Sequence, residues 1–156
     1  MRMHTSRSWT SLISAIALAM AAVTGISACS SNPPAASSGV AATGAHLSAA
    51  EFSTAMKSPG TVVLDVRTPA EFAAGHLPEA KNIDIEGPDF ASGIAALDKS
   101  ATYAVYCHSG NRSAAAMEQM TAASFSHVYD LAGGIGAWQS MGGPMMTGAP
   151  VSHPPM

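Results

Sequence analysis

Residues 103–113 read Tyr-Ala-Val-Tyr-Cys-His-Ser-Gly-Asn-Arg-Ser, and this stretch decides the fold. Tyr103–Tyr106 is a short run of residues that favour β structure, and it ends at Cys107. Small and polar residues follow, and an alanine-rich run after Ser113 predicts a helix. The sequence therefore predicts that a strand, a tight loop and the start of a helix meet at one thiol.

The loop that follows Cys107 has features that stabilise a thiolate. A free cysteine is ordinarily protonated at neutral pH, with a pKa of about 8.5, and only its thiolate is a good nucleophile. Unpaired N–H groups at a helix N-terminus favour an anion, and Arg112 adds a positive charge. Gly110 allows the backbone to turn sharply and to bring N–H groups inward. We expect residues 107–112 to hold a thiolate and a small anionic substrate together; a buried structural cysteine is the alternative.

Strands and short helices alternate on both sides of this loop. Apolar runs predict strands at 61–67, 82–85, 103–106 and 128–131. Capping boxes that begin at Ser48 and Thr68 predict two helix starts. Further helices are predicted around residues 90–97, after the Cys107 loop and around Trp138. This alternation predicts a parallel α/β sheet, in which ligands bind beyond the carboxyl ends of the strands.

The spacing Cys-x-x-Gly-x-Arg-Ser after a strand resembles the active-site loop of the rhodanese family, the thiosulfate sulfurtransferase-like domains. The resemblance implies that Cys107 accepts a sulfane sulfur and becomes a persulfide. The residues that it assigns to the substrate cradle are His108, Ser109, Gly110, Asn111 and Arg112. His108 stands where close relatives often have arginine, which predicts a weaker positive field around the loop.

Two further blocks extend the resemblance. Val-Leu-Asp-Val-Arg-Thr-Pro-Ala-Glu-Phe at 63–72, with the Gly-His pair at 75–76, resembles the first rhodanese signature. Leu-Ala-Gly-Gly-Ile-Gly-Ala-Trp at 131–138 resembles the closing signature. The resemblance implies one rhodanese-like domain at 46–146, an α/β fold of three layers in which helices flank a central, mostly parallel sheet of four to five strands.

Asp65 and Arg67 lie at the carboxyl end of the strand predicted at 61–67, within the first rhodanese signature, and are assigned supporting roles. Asp65 is interpreted as the ion-pair partner of Arg67 or of a neighbouring loop rather than as a catalytic base, because the persulfide route needs no base. Histidines and cysteines do not show the spacing of a metal site, so no metal and no other cofactor are predicted.

The N-terminus resembles a bacterial lipoprotein signal. Arg2 and Arg7 precede a short apolar segment, and Ile-Ser-Ala-Cys at 26–29 resembles a lipobox. The sequence thus predicts a signal peptide at 1–28, a lipid on Cys29, a flexible tether at 29–45 and a disordered tail at 147–156. We expect an extracytoplasmic protein that the lipid anchors to the bacterial cell membrane or envelope. Ordinary cleavage before Cys29, which yields a secreted or periplasmic protein, is the alternative.

Composition narrows the range of partners. Beyond residue 28 the chain has five basic and ten acidic residues, a formal charge of −5 with histidine neutral, and no basic stripe. This composition argues against nucleic acid as a partner.

The predicted function is transfer of a sulfane sulfur from thiosulfate or a persulfide to a thiol or another thiophilic acceptor through a Cys107 persulfide. A persulfide carrier without turnover, or a redox-sensing or binding module, is the alternative. A phosphatase or arsenate reductase is disfavoured, since rhodanese-fold phosphatases place five residues between cysteine and arginine and this chain has four.

Overall fold

The computed structural model describes residues 42–148. Strands and helices alternate throughout this part of the chain. The strands are β1 (Ala45–Leu47), β2 (Thr61–Asp65), β3 (Lys81–Asn82), β4 (Thr102–Tyr106) and β5 (His127–Leu131). The helices are α1 (Ala49–Ala55), α2 (Pro69–Ala74), α3 (Phe90–Ala95), α4 (Asn111–Ala122) and α5 (Gly134–Ser140). The predicted signal peptide, Cys29, the tether up to residue 41 and the tail from residue 149 lie outside the described residues.

The five strands form one parallel sheet in the order β1-β5-β4-β2-β3. The central strand β4 pairs with β2 on one side, where Leu64 lies opposite Val105, and with β5 on the other, where Val105 lies opposite Asp130. The predicted parallel α/β fold is confirmed. Since all carboxyl ends meet at one edge of the sheet, the segments that follow β2, β4 and β5 lie close together there.

Helices cover both faces of the sheet, and alternate residues of each strand point to opposite sides. One face packs against α3 and α4; its core consists of Leu64, Val66, Phe90, Ile94, Tyr103, Val105, Cys107, Ala116, Met117, Met120, Phe125 and Val128. The other face packs against α1, α2 and α5; its core consists of Phe52, Val63, Phe72, Leu77, Ala80, Ala104, Tyr106, Tyr129, Leu131, Ile135 and Trp138. The sheet is thus the middle layer of three.

Both predicted capping boxes are confirmed. The Ser48 hydroxyl accepts the Glu51 N–H, and the Glu51 carboxylate accepts the Ser48 N–H at 2.9 Å. Thr68 and Glu71 make the same reciprocal pair at the start of α2, where Pro69 occupies the first helical position. These caps satisfy N–H groups that have no partner inside the helix.

The structure differs from the sequence prediction at element boundaries. β1 begins at Ala45, inside the predicted tether, and three residues are too short for a periodic signal. The strand predicted at 82–85 is shorter and starts earlier, at Lys81–Asn82. Gly148 donates its N–H to the Ala73 carbonyl at 3.1 Å, so the domain continues beyond residue 146. Within residues 42–148 no helix has both the length and the apolar character that a bilayer crossing requires.

Candidate active site

Cys107 follows the last residue of β4, at the carboxyl edge of the sheet between β2 and β5. It is fully buried and belongs to the core on the α3/α4 face. Its sulfur Sγ accepts the N–H of Gly110 at 3.1 Å. A hydrogen bond from a backbone N–H favours the charged form of an acceptor. The loop that leaves β4 therefore turns back and directs a donor at its own thiol.

Two glycines make this turn possible. Gly110 has φ of 102°, a left-handed conformation that L side chains rarely adopt, and it is the N-cap of α4. Gly134 has φ of 58°, and a Cβ atom there would lie 2.5 Å from the Cys107 carbonyl oxygen. The N–H of Ile135 donates to that same carbonyl at 2.8 Å. The start of α5 thus packs directly on the backbone of the Cys107 loop, which only glycine permits.

A buried polar cluster anchors the other side of the loop. The Ser113 hydroxyl lies 2.9 Å from the Gly110 carbonyl and 2.8 Å from Asp130 Oδ2. The other carboxylate oxygen of Asp130 lies 2.6 Å from His46 Nδ1 on β1. Asp130 is 1% exposed, so these partners replace the water that a carboxylate otherwise requires. The cluster ties Gly110, whose N–H contacts the sulfur, to β5 and β1.

Arg112 lies in the first turn of α4, but two carboxylates bind its guanidinium. Its Nη2 and Nη1 lie 2.8 and 2.9 Å from the two oxygens of Glu71, and Nη1 also lies 3.0 Å from Glu86 Oε2. The hydrogen bond to Arg112 lowers the pKa of Glu71 to about 2, against the opposing effect of burial. Hydrogen bonding to Glu71 raises the pKa of Arg112 above its usual range. The positive charge that the sequence assigns to the loop is therefore neutralised at close range.

Asp65 and Arg67 form a second, buried pair at the end of β2. Arg67 Nε lies 2.9 and 3.0 Å from the two carboxylate oxygens, and Nη2 lies 2.5 Å from Oδ2. Nη2 also donates to the Gly75 carbonyl at 2.7 Å, and the guanidinium carbon lies 5.5 Å from the centre of the Tyr106 ring. Both oxygens of Asp65 are occupied by a cation, so neither is a free proton acceptor. The predicted ion pair of Asp65 with Arg67 is confirmed.

The remaining cradle residues lie at the surface. His108, Ser109 and Asn111 are exposed, and the His108 carbonyl accepts the Gly136 N–H at 3.4 Å. His76 lies outside the loop: its Nδ1 is 2.9 Å from the Phe72 carbonyl oxygen, and its ring stacks on that of Phe72. Among residues 42–148, the hydrogen bond to the sulfur comes from the backbone of the cradle rather than from a charged side chain.

Within residues 42–148 no three histidine, cysteine or acidic side chains are grouped so that they could hold a metal ion. A groove of about 1290 Å³ lies elsewhere, between the start of β2, β3 and Trp138. Its lining includes Lys57, Glu79 and Lys81 but none of residues 107–112. Its lining contains no cysteine and no histidine, so the thiol loop is the better candidate for chemistry.

Five residues of the site were not assigned to it from the sequence: Glu71, Glu86, Ser113, Asp130 and His46. Asp130 did give a signal, because a charged residue inside the apolar strand Val128–Leu131 must find a buried partner. Nothing in the sequence indicates Glu86, since it lies in a loop whose path depends on the whole fold.

Comparison with known proteins agrees with this geometry. The family model described as the rhodanese-like domain matches residues 48–141, well over half of the chain. The chain belongs to the rhodanese-like domain family. The match spans the Cys107 loop, both capping boxes and the Gly133–Gly134 turn, and it ends after α5.

Curated relatives of the chain include bacterial enzymes. The chain is 36% identical over 90 residues to the thiosulfate sulfurtransferase GlpE of Pseudomonas fluorescens, an alignment that covers 58% of this chain and 81% of the relative. It is 37% identical over 86 residues to the enzyme of the same name from Pseudomonas aeruginosa (strain LESB58), with 55% and 76% covered. The similarity is confined to the rhodanese-like domain.

Solved structures show the same fold. A rhodanese-related protein from Thermoplasma volcanium superimposes with a TM-score of 0.59 at 33% identity, covering 65% of this chain and 97% of that protein. The rhodanese-like domain of the Alr3790 protein from Anabaena also gives a TM-score of 0.59, at 29% identity, with 71% and 84% covered. These relatives confirm the predicted rhodanese-like fold.

Proposed function

We propose that this protein is a sulfurtransferase in which Cys107 carries a sulfane sulfur as a persulfide. The observation that carries the proposal is the 3.1 Å contact from the Gly110 N–H to Sγ, at the edge of the sheet where this fold binds ligands. The relatives named thiosulfate sulfurtransferase support the same reaction class.

In the first half-reaction, the Cys107 thiolate attacks the outer sulfur of thiosulfate. A bond forms between Sγ and that sulfur, the sulfur–sulfur bond of thiosulfate breaks, and sulfite leaves with the bonding electron pair. In the second, a thiophile such as cyanide or a thiol attacks the outer sulfur of the persulfide, and the Cys107 thiolate is regenerated. A single nucleophile thus supports ping-pong transfer without a general base.

The loop supports both halves of this cycle. In the thiolate state the Gly110 N–H stabilises the charge on Sγ. In the persulfide state the negative charge lies one atom further out, where the N–H groups of the first turn of α4 have no partner inside the helix. Because Arg112 is bound by Glu71 and Glu86, backbone donors supply most of this stabilisation.

Intact mass spectrometry of the full-length chain tests the proposal. A Cys29→Ser variant leaves Cys107 as the single cysteine, and Cys107→Ser is the matched control. After incubation with thiosulfate or with an alkyl persulfide, the Cys29→Ser chain is expected to gain the mass of one sulfur atom, and cyanide is expected to remove it. If neither donor modifies Cys107, the sulfurtransferase proposal is wrong.

A persulfide carrier that does not turn over small acceptors is the second candidate. The complete burial of Cys107 favours it, because a buried sulfur is released only to an acceptor that fits the loop. Stable loading of Cys107 with slow release to cyanide and small thiols, but fast release to one protein thiol, would support the carrier. Fast release to small thiols would support the enzyme.

We propose further that a lipid on Cys29 holds the domain at the outer side of a bacterial membrane. The support is the lipobox-like sequence at 26–29, which lies outside the described residues. Expression of the full chain in bacteria with a radiolabelled fatty acid tests this. Label and membrane association are expected for the parent and are expected to be lost in Cys29→Ala; a label that persists in the variant contradicts the assignment.

A further inference from the structure

The guanidinium of Arg112 meets more negative charge than it can offset. Glu71 binds it through both oxygens, and Glu86 binds Nη1 at 3.0 Å as well. Glu71 remains ionised at neutral pH because the hydrogen bond to Arg112 lowers its pKa to about 2. One cation therefore faces two carboxylates, and this group of three side chains carries a formal charge of −1.

No other lysine or arginine of the described chain compensates this charge at the loop. The basic residues of the described part are Lys57, Arg67, Lys81, Lys99 and Arg112. Arg67 is bound by Asp65, and Lys57 and Lys81 line the separate groove. Lys99 precedes β4 and so lies toward the opposite edge of the sheet from Cys107.

Glu86 is the residue that makes the net charge around Arg112 negative. It lies in the loop between β3 and α3, and 62% of its side chain is exposed. That loop also contains Asp84 and Asp89 and has no basic residue between positions 83 and 89. A substrate that approaches Arg112 from the solvent thus meets carboxylates first.

We propose that Glu86 makes the site selective for a sulfur donor of low charge, a small alkyl persulfide, over dianionic thiosulfate. The inference rests on the proposed function and specifies the donor. A carboxylate repels an ion in proportion to the charge of that ion. Thiosulfate carries two negative charges, and an alkyl persulfide carries at most one. The backbone donors of the loop can bind either sulfur donor, whereas Glu86 repels both and repels thiosulfate more.

The transfer from an alkyl persulfide is balanced without a further reactant. The Cys107 thiolate attacks the outer sulfur of R–S–SH. The new bond joins Sγ to that sulfur, the sulfur–sulfur bond of the donor breaks, and R–S⁻ leaves with the electron pair. The proton stays on the transferred sulfur or passes to the solvent. One thiolate is consumed and one is released, so no net oxidation or reduction takes place.

Rates of Cys107 persulfide formation in the full-length Cys29→Ser chain test the selectivity. The two donors are thiosulfate and 2-hydroxyethyl persulfide, and loading is followed by intact mass at low salt. The test variant is Glu86→Gln. The matched control is Glu118→Gln, which removes the same charge from an exposed position on α4. For a separation of about 8 Å in water between a carboxylate and a dianionic donor, removal of the carboxylate charge raises the rate constant for the approach of the donor about fivefold.

The parent chain is expected to react faster with the alkyl persulfide. Glu86→Gln is expected to raise the second-order rate constant for thiosulfate by about fivefold and to change that for the persulfide by about twofold at most. The gain for thiosulfate should shrink at high salt, because the screening length falls to about 3 Å at 1 M. Glu118→Gln should leave both rate constants unchanged.

The possible results distinguish a failure of donor selection by Glu86 from a failure of the sulfurtransferase function. If thiosulfate loads Cys107 as fast as the persulfide and Glu86→Gln changes nothing, donor selection by Glu86 is wrong while the sulfurtransferase stands. If Glu118→Gln accelerates thiosulfate as much as Glu86→Gln does, the net charge of the domain rather than Glu86 is responsible, and the inference is again wrong. If neither donor loads Cys107, both the function and the inference fail.

Discussion

Replacement of Asp65 by asparagine is expected to destabilise the domain by about 3 kcal/mol. Asp65 is fully buried and Arg67 is 4% exposed, so the guanidinium loses its counter-charge without gaining water. Removal of one partner of a buried ion pair costs about 3–5 kcal/mol. The lower end applies here, since the Gly75 carbonyl at 2.7 Å and the Tyr106 ring at 5.5 Å remain in contact with Arg67. Burial disfavours the charge of Arg67, and Asp65 more than offsets this, which raises the pKa of Arg67.

Urea unfolding of the full-length chain at pH 7 measures the effect. With a slope of about 1.5 kcal/mol per molar, a loss of 3 kcal/mol lowers the midpoint by about 2 M. The double variant with Asp65→Asn and Arg67→Met should be more stable than Asp65→Asn alone, because it leaves no unpaired buried charge. Glu118→Gln, at an exposed position, should change stability by about 0.5 kcal/mol at most. A loss below about 1 kcal/mol for Asp65→Asn, or simple additivity in the double variant, would refute the assignment of a buried ion pair.

Three further substitutions test other parts of the site. Glu71→Gln should remove about 1 kcal/mol of stability above pH 4.5. In the parent, this contribution of Glu71 is lost as the pH falls from about 4.5 toward the folded pKa of Glu71, about 2. Urea midpoints of both proteins, determined as a function of pH, measure the difference. Gly134→Ala should block persulfide loading, and it should destabilise the domain more than Gly142→Ala does. Both glycines have positive φ, but only at Gly134 would a Cβ atom clash with backbone atoms. Mass spectrometry measures the loading, and urea unfolding measures the stability. Asp130→Asn should lower stability by about 1–3 kcal/mol and His46→Gln by less, since Asp130 is buried and His46 is exposed; equal losses would contradict this.

The sequence predicted the architecture well because its local signals agree with one another. Each capping box lies just before an apolar helical face, and the central strands are mostly apolar. The loop at 107–112 was recognisable because nucleophile, glycine and helix start are adjacent in sequence. Consistency of this kind across levels is what specifies a fold. The strand β1 was not predicted, and β3 was predicted with other bounds, because two or three residues show no periodicity.

The electrostatics of the site could not be predicted in the same way. Arg112 is followed by serine and an alanine-rich run, and nothing nearby in sequence neutralises it. Its partners are 41 and 26 positions away, on α2 and on the loop after β3. Such contacts depend on the strand order β4-β2-β3, which brings those segments beside the loop. The sequence therefore suggested a free cation where the structure has a neutralised one.

This difference changes how the thiolate must be stabilised. A free arginine beside Cys107 would attract any anion, not only the substrate. Its flexible side chain would also leave the distance between its guanidinium and that anion variable. A backbone donor at 3.1 Å acts only on an atom that sits where the sulfur sits. Arg112, held by Glu71 on α2, instead fixes the first turn of α4 and with it the direction of the loop N–H groups. The ion pair of Arg112 with Glu71 thus positions the backbone N–H groups of the loop, and these N–H groups act on the sulfur. Their geometry does not depend on the charge of the substrate.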